Sequence, residues 1–288
     1  MNRIFHILSI IIIILAVVAS GLGLFYKTGG ESYDFVNQFR DTVKIYGDGI
    51  YKNDSFFMAP IFRGTDFTVL FFVIPILIYA FVKDRKHNTL KTRLFLTSVI
   101  SFVLYYATSI AFGVKYNVLH LVYSALFACC FFAFVHGFSL VKEFNISTRE
   151  NINTKGMKVF LFLCGLSLFV AWLPDIIVSW INQRPLELIE IYTTQITYVL
   201  DMAIISPVIF ICLYKINKKD KLGYILLSII LTNLVLIGIT VIFQTIFHHI
   251  AGVELSLAEM ITKIGLFVIL ALFGLFYQIK LYRNFSME

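Results

Sequence analysis

Charged residues are scarce in this chain of 288 residues, in which Asp, Glu, Lys and Arg together account for 14%. A soluble domain of this size would carry roughly a quarter. Hydrophobic residues account for 59%, and the mean hydropathy is +0.86. The scarcity of charge excludes an ordinary soluble enzyme or binding domain, and it predicts a chain embedded in a lipid bilayer.

Cysteines are few, and the common cofactor motifs are missing from the sequence. The cysteines are Cys129, Cys130, Cys164 and Cys212. All lie in apolar runs without a CxxC spacing, which argues against disulfides and against a zinc–thiolate site. We interpret them as small packing residues. The sequence has no Walker A loop, GxSxG elbow, dinucleotide fingerprint, HExxH motif or haem motif. It therefore predicts neither a metal site nor a cofactor.

No polar stretch is long enough to form a soluble domain of its own. The longest runs from Tyr26 to Asp66, about forty residues, which is the lower limit for independent folding. We therefore predict a single membrane domain over residues 1–288, with the lipid bilayer as its main partner.

Eight apolar runs are long enough to cross the bilayer, which predicts an all-α, polytopic transmembrane helix bundle. They cover residues 4–26, 66–82, 94–113, 118–140, 159–180, 191–214, 223–248 and 259–279.

Basic residues orient these spans. Lys and Arg concentrate before the first span, after the last, and in every second connection, and these positions share one face of an eight-span protein. The positive-inside rule assigns that face to the cytoplasm. The sequence thus predicts a multi-pass plasma-membrane protein with cytoplasmic N- and C-termini. The net charge of +7 follows from this topology. No stretch interleaves basic and aromatic residues, so no nucleic-acid partner is predicted.

An alternative topology starts from the first span. Residues 1–21 combine an Arg, an apolar stretch and the small residues Ala19-Ser20-Gly21, as in a signal peptide. The apolar stretch exceeds the usual h-region of about 7–15 residues, which favours an uncleaved span. Cleavage would leave seven spans and an outer N-terminus.

The longest connection, residues 27–65, lies on the predicted outer face. Within it, Tyr33–Arg40 carries spaced apolar residues, which predict an amphipathic helix on the membrane surface.

The second and sixth spans carry similar features. Each has an Asp in its outer part and a Pro further in, Asp66 with Pro75 and Asp201 with Pro207, and each leads into a Lys-rich connection. This pattern predicts a parallel internal repeat of four plus four spans.

Short motifs in both halves match those of a known group of proteins. They are Gly64-Thr65-Asp66, Pro75, Leu104-Tyr105, Ala111-Phe112-Gly113, Asn117, Tyr123, Val199-Leu200-Asp201, Pro207 and Gly223-Tyr224. With these motifs the chain resembles a widespread group of uncharacterised prokaryotic eight-span membrane proteins. The resemblance implies a shared fold and no known activity.

Ionisable groups within a span need a reason, because a charge at the bilayer centre costs about 2.5–3.5 kcal/mol on insertion scales. Asp201 is the clearest case, since no basic residue lies one turn away. It predicts either a cation, proton or substrate site, or a buried hydrogen bond to Thr240 or Gln244. Asp66 is interpreted as a substrate-site residue or as a helix cap. Asp175 is within reach of Arg184, and the pair predicts a surface ion pair.

Further polar residues fall in the outer half of the spans, whereas the cytoplasmic half is nearly all apolar. They include Gln195, Gln244 and His248. His248 and His249 are adjacent, which is poor spacing for metal ligands on a helix. Glu259 and Lys263 are four residues apart and predict a helix-stabilising pair.

Together these residues predict an outward-facing polar cavity between the two halves, suited to a transporter or binder of a small solute or cation. The candidate binding residues are Asp201, Asp66, Gln244, Gln195, Asp175 and His248. One alternative is a non-catalytic sensor or assembly partner that recognises its target with residues 27–65. Another is an intramembrane enzyme built on Asp175, Asp201 and His248, which we rank below the non-enzymatic functions. The sequence identifies no protein partner.

Overall fold

Eight helices that are long and apolar enough to cross a membrane make up most of the computed structural model, which describes residues 2–144, 154–254 and 264–285. They are α1 (Asn2–Phe25), α2 (Met58–His87), α3 (Leu90–Gly113), α4 (His120–Lys142), α5 (Lys155–Asn182), α6 (Ile196–Asn217), α7 (Lys221–Ile250) and α8 (Leu266–Asn284). The predicted all-α bundle of eight spans is confirmed. We call the end of the bundle that carries residues 26–57 the hairpin face, and the opposite end, with the Lys-rich connections, the basic face.

Helix α2 begins about two turns earlier than its apolar run predicts, at Met58 and not at Asp66. Hydropathy misses these turns because they contain Arg63, whose charge is satisfied within the protein. The Arg63 guanidinium donates to the hydroxyl of Tyr46 at 2.7 Å and to the carbonyl of Leu24 at 3.2 Å. Asp66 therefore lies inside the helix and does not cap it.

Helices α2 and α6 share a local irregularity. Each contains one π-helical turn, Val69–Val73 in α2 and Asp201–Ile205 in α6, just before Pro75 and Pro207. Proline has no N–H and crowds the carbonyl four residues earlier, so a wider turn ahead of it relieves the clash. The two helices thus resemble each other locally, whereas the repeat of whole halves stays a prediction.

An antiparallel hairpin stands where the sequence predicts an amphipathic surface helix. Strand β1 (Tyr33–Val36) pairs with β2 (Thr42–Ile45). The Asn37 side chain forms the turn, because its Oδ1 accepts from the backbone N–H of both Phe39 and Asp41 at 2.9 Å. An Asn that binds its own backbone in this way favours a turn over a helix.

The centre of the bundle is formed by α3 and α7. Buried residues make up 61% and 67% of their most apolar stretches, against 28% in α5 and α8. Helix α7 packs against α2, α3, α6 and α8, and α3 packs against α2 and α4. Contacts between the two halves of the chain therefore run largely along α3 and α7.

At the basic face, a buried ion pair joins the ends of α1, α2 and α3. The Arg93 side chain is only 1% exposed, and its Nε lies 3.0 and 2.9 Å from the two carboxylate oxygens of Asp84. Its terminal nitrogens donate to the side chains of Asn2 and Asn88 at 2.8 and 2.6 Å, and His6 Nε2 lies 2.8 Å from Asp84. In the sequence, Arg93 is one of the basic residues that orient the spans. In the structure it also joins the ends of three helices.

Candidate functional site

A cavity of about 230 Å³ lies between the two halves, enclosed by α2, α3, α5, α6, α7 and α8. Most of its wall is apolar or aromatic. The described polar residues that line it are Thr65, Tyr105, Tyr106, Ser109, Trp172, Gln195, Thr197, Tyr198, Asp201, Thr240, Gln244, Thr245 and His248. Four of the six predicted binding residues, Asp201, Gln244, Gln195 and His248, are among them.

Asp201 lies in this wall, 4% exposed, at the first position of the π-helical turn of α6. Its carboxylate accepts one hydrogen bond on each oxygen. The Tyr105 hydroxyl donates to Oδ1 at 3.0 Å, and Trp172 Nε1 donates to Oδ2 at 2.9 Å. These donors come from α3 and α5, whereas the alternative interpretation of the sequence, a buried hydrogen bond, named Thr240 or Gln244 of α7. Asp201 thus ties together three helices from both halves.

Asp175 contacts the residues that pack beside Asp201. The Tyr198 hydroxyl donates to Asp175 Oδ2 at 2.7 Å, and the Tyr198 ring stacks on Trp172 with centroids 4.6 Å apart. The predicted pair with Arg184 is wrong, since the described side chains include no such ion pair. Asp175 is not part of the cavity wall. It accepts a hydrogen bond from Tyr198, whose ring stacks on Trp172, and Trp172 in turn donates to Asp201.

The other three lining candidates each hydrogen-bond to a neighbouring group at the cavity: Gln244 and His248 join separate elements, and Gln195 bonds within the connection between α5 and α6. Gln244 of α7 donates to the Thr65 hydroxyl of α2 at 2.8 Å, and Gln195 donates to the carbonyl of Leu188. His248 Nε2 donates to the carbonyl of Phe57 at 2.8 Å. Each amide or ring therefore serves a packing contact as well as facing the cavity.

Asp66 does not line the cavity. It is fully buried, and it accepts from the hydroxyls of Tyr51 at 2.5 Å and Tyr106 at 2.7 Å. Gly23 of α1 lies against it, because an added Cβ would come within 2.0 Å of Asp66 Oδ2. Burial, and then the Asp66 charge, raise the pKa of Tyr51 well above its usual value, so Tyr51 stays a donor. Tyr106 separates Asp66 from the cavity, since its ring lines the wall.

A second cluster holds together three connections at the hairpin face. The fully buried Asp54 accepts from the backbone N–H of Lys115 at 2.9 Å and from the Tyr192 hydroxyl at 3.0 Å, both on Oδ1. Ser55 donates to Glu190. Burial raises the pKa of Asp54 to about 7 and also raises that of Glu190. The connection between α5 and α6 that this cluster fixes also contributes Leu188 and Gln195 to the cavity wall.

The basic half of the bundle is more polar than the sequence predicts. Asn233 of α7 donates to the Ser101 hydroxyl of α3 at 2.6 Å, and Ser98 and Ser228 lie 3.1 Å apart. Ser98, Ser101 and Tyr105 share one face of α3, so polar contacts continue from the cavity towards the basic face. Hydropathy does not predict this row of polar contacts, because a single serine changes the mean hydropathy of an apolar run very little.

Two predictions concern catalysis and metal binding. Of the three candidates for an intramembrane enzyme, Asp201 and His248 line the cavity and Asp175 does not. Within the described ranges, no three His, Cys, Asp or Glu side chains are placed to hold a metal ion. The predicted pair of Glu259 and Lys263 lies outside the described residues.

Comparisons with protein-family models, with curated proteins and with solved structures found no match to this chain. The resemblance to the eight-span group therefore stays a prediction.

Proposed function

We propose that this protein binds a small solute in the cavity between its two halves and transports it across the membrane, with loading from the hairpin face. One observation carries the proposal. Asp201 lies in the wall of a cavity of about 230 Å³ and receives hydrogen bonds only from neutral donors within the described part of the chain. An acid at this depth in a membrane is costly and is usually kept for function.

The hydrogen bonds of Asp201 leave room for a ligand. A carboxylate has about four acceptor positions, and Tyr105 and Trp172 use one on each oxygen. The rest of the wall combines apolar surface with a few fixed polar groups, as in typical small-molecule sites. The favoured ligand is therefore small and mainly apolar, and it carries at least one hydrogen-bond donor.

Loading from the hairpin face follows from what covers the cavity there. Phe57, Leu188 and Gln195 line it near the connections that the Asp54 cluster ties together. In this proposal these connections move apart to admit the solute. The π-helical turns of α2 and α6 supply points at which the two helices can bend, since π turns and prolines are common at such sites.

The test is thiol labelling from each face, in a background whose four native cysteines are replaced by alanine. Thr240→Cys places a thiol on the cavity wall, and Ile242→Cys places one on the exposed side of the same helix, at 41% exposure. A membrane-impermeant reagent should label Thr240→Cys and not Ile242→Cys, because the reactive thiolate forms in water and not in lipid. Transport further predicts that a reagent added at the basic face labels some Thr240→Cys. Protection of Thr240→Cys from both sides in folded protein would contradict the proposal.

The exposed apolar hairpin favours a second candidate function, recognition of a partner by residues 27–57. Tyr33, Phe35, Val36 and Phe39 are all exposed, and β1 is an edge strand with unpaired backbone groups. Replacing residues 33–42 by a Gly/Ser loop should abolish function under this alternative while Asp201→Asn leaves it intact. Transport predicts the reverse.

A further inference from the structure

The charged groups among the described lining residues are of one sign. Asp201 is the one carboxylate among the described lining residues, and none of them is Lys or Arg. The groups that donate to Asp201 are an indole N–H and a phenol O–H, both neutral. An anionic ligand would meet a carboxylate in a medium of low dielectric, where like charges repel strongly. A cationic ligand would instead gain a charge-assisted hydrogen bond to the unused acceptor positions of Asp201.

Aromatic rings form much of the wall of the cavity that Asp201 lines. Trp172 and Tyr198 form a stacked pair next to it, with an interplanar angle of 24°, and Phe57, Phe62, Phe102 and Phe267 also line the cavity. The face of an aromatic ring attracts a cation within about 6 Å, most strongly when water is excluded. A carboxylate in a cavity that is lined with aromatic rings is suited to an ammonium group on an apolar body.

An inorganic cation fits this wall poorly. Calcium takes six to eight oxygen ligands, and magnesium requires near-octahedral coordination. Asp201 is the one carboxylate among the described lining residues, and no three His, Cys, Asp or Glu side chains in the described ranges are placed to hold a metal ion. The volume, about 230 Å³, exceeds the roughly 150 Å³ of a cavity that accepts benzene. There is thus room for an aromatic ring and a short amine-bearing chain.

We infer that the ligand of this cavity is a small organic monocation, an ammonium group on an apolar or aromatic body, which pairs with Asp201. The inference rests on the proposed function, because it names the class of solute that the same cavity binds.

The chain provides its own fluorescent reporter for the test. It has two tryptophans, Trp172 in the cavity wall and Trp180, which is 72% exposed. The variant Trp180→Phe leaves Trp172 as the sole indole, in hydrogen-bond contact with Asp201. Three probes of nearly equal size are titrated into this purified variant: benzylammonium, benzyl alcohol and benzoate. The inference predicts saturable fluorescence changes in which benzylammonium binds at least about tenfold more tightly than benzyl alcohol, and benzoate does not bind.

The matched control is Trp180→Phe combined with Asp201→Asn. Asn keeps an acceptor for Tyr105 or Trp172 but removes the charge, so the preference for benzylammonium over benzyl alcohol should disappear. Equal affinities for benzylammonium and benzyl alcohol before this substitution would overturn the inference.

A second measurement tests the inference without the Asp201→Asn variant, in case that variant does not fold. With Asp201 intact, benzylammonium should protect Thr240→Cys from the thiol reagent at concentrations at which benzyl alcohol does not. Equal protection by both probes would refute the cationic ligand and leave the proposed cavity standing. Labelling that neither probe slows would also refute it, whereas a lack of labelling altogether would refute the proposed function itself.

Discussion

The contact between α2 and α7 beside the cavity depends on Gly64, and the variant Gly64→Ala tests it. An added Cβ at Gly64 would lie 2.6 Å from Gln244 Cα and 2.7 Å from Gln244 N. Both are backbone atoms, so no side chain can rotate out of the way. Ordinary contact starts near 3.4 Å, and the helices must therefore separate by about 0.8 Å.

This separation has two measurable consequences. Overpacking of this kind costs about 1–3 kcal/mol, so the free energy of unfolding should fall by that amount. The hydrogen bond from Gln244 to Thr65, now 2.8 Å, should lengthen, and reagents should reach Thr240→Cys faster. Thermal unfolding of the purified protein in detergent measures the first effect, and labelling kinetics measure the second.

Gly21→Ala is the matched control, because an added Cβ at Gly21 of α1 meets no atom within 4 Å. In a helix interior, replacing Gly by Ala gains about 1 kcal/mol in propensity. We therefore expect Gly21→Ala to unfold at or above the temperature of the unaltered protein. If Gly64→Ala proved as stable as Gly21→Ala, the close approach of α2 and α7 would be refuted.

Two further predictions concern buried acids. The pKa of Asp54, raised to about 7 in the folded protein from an ordinary 3.8, makes folding favour its protonated form. The stability that protonated Asp54 contributes to the folded state is complete below pH 4 and is lost as the pH rises to about 7. Relative to the unaltered protein, Asp54→Asn should therefore gain most in melting temperature at pH 8 and little at pH 4. An equal gain at both pH values would contradict this. Asp84→Asn leaves the charge of Arg93 buried without its carboxylate and should cost about 3–5 kcal/mol in the same unfolding assay, and a loss below 1 kcal/mol would show that the pair is solvated.

The spans could be predicted from the sequence because lipid imposes a local rule: a backbone that crosses hydrocarbon must be helical and mainly apolar. The same rule made Asp201 conspicuous, since a lone acid in an apolar run is costly wherever the run lies. Gln244, Gln195 and His248 followed because they were the remaining polar residues at a similar predicted depth. For these residues, the residue type and the predicted depth within the span were enough to predict a position in the cavity wall.

The partners of these acids could not be predicted in this way. Trp172 and Tyr105 lie 29 and 96 residues from Asp201, and both read as ordinary apolar residues until the packing of α3, α5 and α6 brings them to it. Asp66 was interpreted as a substrate-site residue or a helix cap, since its partners Tyr51 and Tyr106, 15 and 40 residues away, are brought to it only by packing. The hairpin was missed because the spaced apolar residues of Tyr33–Arg40 suit a helix as well as a strand, and the Asn37 turn decides between them.

The most direct test of the account is the labelling of Asp201→Cys by a membrane-impermeant thiol reagent added at the hairpin face. The background lacks the four native cysteines, and Asn53→Cys, an exposed position at the hairpin face, reports full access. We predict that Asp201→Cys reacts measurably, though more slowly than Asn53→Cys. Complete protection of Asp201→Cys in a folded, monodisperse protein would make Asp201 a packing residue and would contradict the account.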